Sequence, residues 1–165
     1  MYFTLKSKHP YIMQNDTVVN GFFGPYRFLS NFHVAPVVYE GIKYPSSENA
    51  YQAAKSLDPN VRKMFVDYID PISGQRVDVT PSQSKKMGRK IECRSDWEEV
   101  KYKIMFEIVM DKFTRNPELS EMLLETGDRY LEETNHWKDT CWGVCDGVGT
   151  NWLGKILMDV RNELK

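Results

Sequence analysis

The sequence predicts a single domain of the α+β class, mainly helical, with a few short strands. Three observations carry this. Apolar residues recur at helical spacing over about four turns from Trp97 to Phe113. Short β-branched and aromatic runs bounded by turn residues occur at 18–23, 34–39 and 42–44. The length of 165 residues suits one core that buries about two-thirds of the unfolded surface, so 1–165 is expected as one domain.

Residues 1–16 show neither period and read as irregular. Residues 18–23 form a short strand closed by the turn signal Gly24-Pro25. In Phe28-Leu29-Ser30-Asn31-Phe32, bulky anchors flank two small polar groups, which either face a ligand or cap their own backbone. Residues 34–39, the turn Glu40-Gly41 and residues 42–44 make a hairpin. Ser46 or Ser47 caps a helix that runs to Lys55, and Asp58-Pro59 starts another through about Tyr68. Residues 70–81 are polar, turn-rich and aperiodic, and are expected as an exposed excursion. A short helix at 82–90 carries Lys85, Lys86, Arg89 and Lys90, either a solvated face or a source of cations for a phosphate. Ser95 or Asp96 caps the long amphipathic helix and Asn116-Pro117 ends it. A helix at 117–125 and a short strand at 130–134 follow. Thr150 or Asn151 caps a last helix whose buried stripe is Leu153, Ile156, Leu157, Val160 and Leu164.

The 22 basic and 23 acidic residues nearly cancel and are interspersed, which argues against a nucleic-acid or membrane surface. A nucleotide-sized anion needs only a local cluster. No apolar run approaches the ~20 residues of a bilayer span, and the N-terminus lacks a signal-peptide core, so a cytoplasmic protein is expected. Cys93, Cys141 and Cys145 read as reduced thiols rather than a disulfide framework. His136, Cys141 and Cys145 match no familiar zinc spacing, and thiols in a packed loop are the better account.

Two stretches are unusual. A helix advances about 100° per residue, so Glu48, Gln52 and Lys55 fall on one face while Ala50, Ala53 and Ala54 fall on the other. A carboxylate, an amide and an ammonium therefore converge. The same spacing also describes an ordinary solvated face, and spacing alone favours that reading. The second stretch, 136–151, holds two Trp, two Asp and three Gly in one loop, hard to justify by packing alone. It delivers carboxylates, indoles and a helix N-terminus to one region.

Taken together, Phe28-Leu29-Ser30-Asn31-Phe32, the stretch from Tyr44 to Lys55, Met87-Gly88-Arg89, Trp97 with Val100-Lys101, Asp139-Thr140-Cys141-Trp142-Gly143 and the stretch from Gly149 to Met158 resemble, in order and spacing, the NADAR family with its YbiA-like N-glycosidases. The resemblance runs from about Asn20 to the C-terminus. It implies a mainly helical α+β single domain and hydrolysis of a ribosyl C–N bond. The implied substrates are phosphorylated ribosylamino-pyrimidine intermediates of riboflavin biosynthesis or, in other members, ADP-ribose attached to guanine in nucleotides or nucleic acid. A non-catalytic ADP-ribose or nucleotide reader is the alternative of another class. Two departures stand out: residues 70–81 look inserted relative to shorter YbiA-like members, and Cys145 stands where acidic or small residues are common.

The resemblance carries function onto Glu48, Trp97, Asp139, Trp142 and Asn151, with Asn31, Lys55 and Arg89 as contacts and Gln52 beside them on the polar helix face. Breaking the bond builds positive charge at the anomeric carbon, which calls for a carboxylate and for an activated water. Glu48 is expected to activate water and Asp139 to hold ribose hydroxyls or steady the cation, with the reverse assignment open. Trp97 and Trp142 offer faces to the base, Asn31 and Asn151 read polar edges, and Lys55 or Arg89 neutralises phosphate. No metal or other cofactor is required.

Overall fold

The computed structural model describes residues 17–165, so the irregular segment expected at 1–16 lies outside the described residues. In chain order these form β1 (Val18–Asn20), a 3₁₀ helix (Gly24–Leu29), β2 (Val34–Tyr39), β3 (Ile42–Ser46), α1 (Ser47–Ala53), α2 (Pro59–Lys63), β4 (Asp67–Ile69) and β5 (Arg76–Asp78). Then come α3 (Pro81–Gly88), α4 (Trp97–Arg115), α5 (Pro117–Glu125), β6 (Tyr130–Glu132), β7 (Thr134–Asn135), β8 (Val144–Cys145) and α6 (Trp152–Glu163). Helices outweigh strands, and the class is α+β.

The strands pair only two by two: β2 with β3 and β4 with β5 antiparallel, β1 with β6 and β7 with β8 parallel. No sheet is broad enough to form a core by itself, so the helices must supply it. The hydrophobic spine is α4, whose Ile104, Met105, Ile108, Val109 and Phe113 are buried at helical spacing. Against it pack β2, α1, α5 and α6. In β2 the inward residues Ala35, Val37 and Tyr39 alternate with more exposed ones, as a half-buried strand requires. The β2–β3 turn has positive φ at both Glu40 (45°) and Gly41 (79°), the tight mirror-image turn that suits strand twist. Asp111 of α4 accepts the Val38 N–H at 2.7 Å, fixing this hairpin to the central helix.

Ser46 is the cap of α1, its Oγ accepting the Asn49 N–H at 3.2 Å. All seven residues of α1 are buried. The helix expected from Asp58 stops at Lys63 instead of running to Tyr68. The Val66 carbonyl is taken by the Val79 N–H at 3.0 Å, and residues 67–69 pair with 76–78. Long-range pairing thus overrides a local helical pattern. Residues 70–78 are mostly exposed, as expected, but they hold the turn and second strand of a hairpin rather than a structureless excursion. Asp96 precedes α4 without capping it through its side chain, which is taken by Arg94 in a two-pronged ion pair. Among the described residues no helix is long and apolar enough to cross a membrane.

Candidate active site

The polar face of α1 is buried. Glu48 is 7% exposed, and its Oε1 accepts the Gln52 Nε2–H at 2.9 Å one turn later. Burial pushes the Glu48 carboxyl up from the usual range; the Gln52 hydrogen bond and the nearby Lys85 and Lys55 oppose the rise. Gln52 in turn fits only because α3 presents a glycine to it. A Cβ on Gly88 would lie 1.9 Å from Gln52 Oε1. Lys55, half-buried one turn beyond, has its pKa lowered by burial, and its Nζ sits 6.0 Å from the centre of the Trp97 ring.

The second wall is the segment after the 3₁₀ helix. The Glu48 N–H, one of the amides a helix start leaves without an internal partner, donates to the Asn31 carbonyl at 3.1 Å. The other anchor is Lys112 of α4, fully buried, whose Nζ donates to the carbonyls of Phe28 (2.6 Å) and Ser30 (3.0 Å). Burial lowers its pKa to about 7. Asn31 Nδ2 reaches Met105 Sδ at 3.4 Å, while its Oδ1 is buried without a partner among the described residues.

The third wall comes from 133–153. Asp139 Oδ1 accepts the N–H groups of Cys141 (3.0 Å) and Trp142 (2.9 Å), a local turn that fixes both the carboxylate and the indole that follows. The Trp142 ring packs edge-on between Tyr51 (5.3 Å) and Trp152 (5.4 Å). Glu133 joins β6 to β7. Its N–H donates to Asn151 Oδ1 (3.0 Å), its carbonyl accepts the Val144 N–H (2.9 Å), and its Oε2 is buried without a partner among the described residues. Burial, with Asp139 and Glu48 nearby, raises this carboxyl to about 8 against the pull of Arg27 and Lys112. Gly143 permits this crowding, since a Cβ there would meet the Glu133 carbonyl at 2.3 Å.

These walls enclose a cavity of about 540 Å³, the size of a small-molecule site. Glu48, Gln52, Asn31, Lys55, Asp139 and Trp142 all line it. A model of the NADAR domain matches residues 16–165. The chain belongs to the NADAR family. Among NADAR relatives, it is 33% identical over 159 residues to N-glycosidase YbiA of Escherichia coli (strain K12), covering 93% of this chain and 92% of that protein. A riboflavin biosynthesis protein of Vibrio vulnificus (strain YJ016) is 37% identical over 139 residues, 84% of this chain but 35% of that longer protein. The NMR structure of Escherichia coli YbiA superimposes with a TM-score of 0.74 at 30% identity, covering 98% of this chain and 93% of that one.

Three of the expected site residues do not line the NADAR cavity. Trp97 is core: it stacks on Tyr51 (5.0 Å) and lies under Lys55, supporting the wall from behind. Arg89 follows α3 and is exposed, so the residue of the Met87-Gly88-Arg89 motif that touches the site is Gly88. Asn151 is 1% exposed in the left-handed conformation (φ 55°), and it does not cap α6 with its side chain. Its amide is spent on Glu133, Leu131 and Tyr130. Conversely, Arg27, Lys85, Trp137 and Glu133 line the cavity. Lys85 was legible as one of a cationic cluster. Glu133 carried no such signal, because one of two adjacent glutamates in a short strand reads as solvated. Among the described residues no group of three or more His, Cys, Asp or Glu side chains is spaced to hold a metal ion.

Proposed function

We propose that this NADAR chain is an N-glycosidase that hydrolyses the ribosyl C–N bond of a phosphorylated ribosylamino-pyrimidine intermediate of riboflavin biosynthesis. One observation carries the reading: carboxylates Glu48 and Asp139 line a cavity together with Asn31 and Gln52, whose buried Oδ1 and Oε1 have no partner among the described residues. Such atoms are costly unless a ligand or water satisfies them. A solvated helix face would not bury them.

In this reading ribose sits between the carboxylates. As the C–N bond lengthens, positive charge grows at the anomeric carbon, and carboxylates in a water-poor cavity stabilise it more strongly than they would in water. Glu48 is the base that takes a proton from the attacking water, because burial raises its proton affinity while Gln52 keeps it aimed. Asp139 has Oδ1 committed to two backbone amides, so Oδ2 is the atom offered to ribose hydroxyls. Trp142, held edge-on by Tyr51 and Trp152, presents a face to the leaving base. Lys55 and Lys85 flank the phosphate, and a bound phosphate favours the charged form that burial of Lys55 disfavours.

The test is incubation of purified protein with the ribosylamino-uracil phosphate intermediate and, separately, with ADP-ribosylated guanosine, reading ribose 5-phosphate or ADP-ribose released. Release of ribose 5-phosphate supports the reading. Release of ADP-ribose alone moves the substrate to ADP-ribosyl guanine, and binding without release makes the chain a reader.

A further inference from the structure

Three carboxyl groups, not two, line the cavity: Glu48, Asp139 and Glu133. Their surroundings set them apart. The charged form of Glu48 receives an amide N–H from Gln52, and that of Asp139 receives two from the backbone. Among the described residues Glu133 has no hydrogen-bond donor on its buried Oε2, and the carboxyls of Asp139 and Glu48 lie close enough to oppose its ionisation. Its place is nonetheless rigid. Asn151 grips its N–H, Val144 its carbonyl, and Gly143 leaves no slack beneath it. A cavity-lining residue whose backbone is held so firmly, and whose carboxyl keeps one oxygen buried and unsatisfied, is built to share a hydrogen with something that arrives there.

We propose that Glu133 is the general acid of the reaction, protonating the leaving nitrogen as the ribosyl C–N bond breaks; the assignment rests on the N-glycosidase reading above. The bonding pair of the C–N bond goes to nitrogen, which takes the proton from Glu133. The water oxygen bonds to the anomeric carbon and gives a proton to Glu48. The products are the sugar phosphate and the neutral amine, and return of the Glu48 proton to Glu133 through water resets the site. Burial raises both Glu48 and Glu133, and hydrogen bonding divides them: Gln52 donates to the charged form of Glu48, whereas Oε2 of Glu133 has no donor among the described residues. The value of about 8 to which burial and neighbouring carboxylates bring Glu133, against Arg27 and Lys112, leaves it protonated at neutral pH.

The experiment compares wild type with Glu133→Gln, both checked for folding by circular dichroism. The probes are the ribosylamino-uracil phosphate and 4-nitrophenyl β-D-ribofuranoside 5-phosphate, whose leaving group departs without a proton. The expected result is a loss of about 10²–10⁴-fold in kcat/KM on the first probe and a loss below about tenfold on the second. The alkaline limb of the wild-type pH profile, near 8, should vanish in the variant. Equal losses on both probes with the alkaline limb retained would overturn the assignment and leave Glu133 a structural residue. Release of sugar phosphate from neither probe by wild type would remove the glycosidase reading, and this assignment with it.

Discussion

The side chain of Asn151 holds the backbone of Glu133: its Oδ1 accepts the Glu133 N–H at 3.0 Å while its Nδ2 donates to the Leu131 carbonyl at 2.9 Å. The start of α6 is thereby joined to the junction of β6 and β7, and a wall of the cavity inherits the rigidity of a buried helix. Asn151→Ala should strand both backbone groups, at about 1–3 kcal/mol each, and place alanine in a left-handed conformation that asparagine tolerates better. Chemical denaturation should show the loss. An unchanged midpoint would mean that this amide is no brace.

Glu48→Gln keeps the volume of the side chain and its place on α1 but removes the proposed base. A folded protein with kcat reduced by about 10²–10⁴-fold is expected. Single-turnover assays on the ribosylamino-uracil phosphate check this, and full retention of rate would reassign the role to Asp139.

Gly88→Ala tests whether α3 positions the proposed base, Glu48, through Gln52. The new methyl would displace Gln52 Oε1, 1.9 Å away, and with it the hydrogen bond to Glu48. Overpacking of about 1–3 kcal/mol is partly offset by a gain in helix propensity of up to about 1 kcal/mol. The melting temperature should therefore fall modestly while kcat falls by about tenfold or more, equivalent to ~1.4 kcal/mol of transition-state stabilisation. A fall in stability with kcat intact would sever the link.

Lys112 gives the protein a pH signature. Its folded pKa of about 7 lies below the ordinary 10.5, so the native state binds fewer protons than the unfolded state between those values. Its contribution to stability is full above the ordinary lysine value and is lost as pH falls through about 7. The stability of wild type relative to Lys112→Met should therefore rise with pH across that window, measured by urea denaturation at several pH values. A flat difference would show that the amine titrates normally.

Much of the fold was legible because its strongest elements are local. The long period of α4, the Asn116-Pro117 break and the turn before Ile42 needed no partner to be read. The segment after Lys63 did, since residues 66–69 become extended only when the chain returns at 76–79. The site divides along the same line. Spacing put Glu48, Gln52 and Lys55 on one face but could not say whether that face was wet or dry, a matter settled by α3 and the segment before β2 packing over it. Periodicity put Lys112 or Phe113 on the apolar stripe of α4 but gave neither Lys112 nor Glu133 a role, because what distinguishes them is burial among distant groups.

Asn49, next to Glu48 on α1, spends both hydrogens of its side-chain amide on the carbonyls of Phe65 and Val79, at 2.8 Å each. Those two residues stand just outside the β4–β5 hairpin, like the two posts of a gate hinged on one helix. The hairpin between them contributes no residue to the cavity lining, so its length and sequence can change while Asn49 holds both ends. A fluorescent tag, a purification epitope or a second folded module spliced at Ser73 would ride on an exposed hairpin turn that lines no part of the cavity.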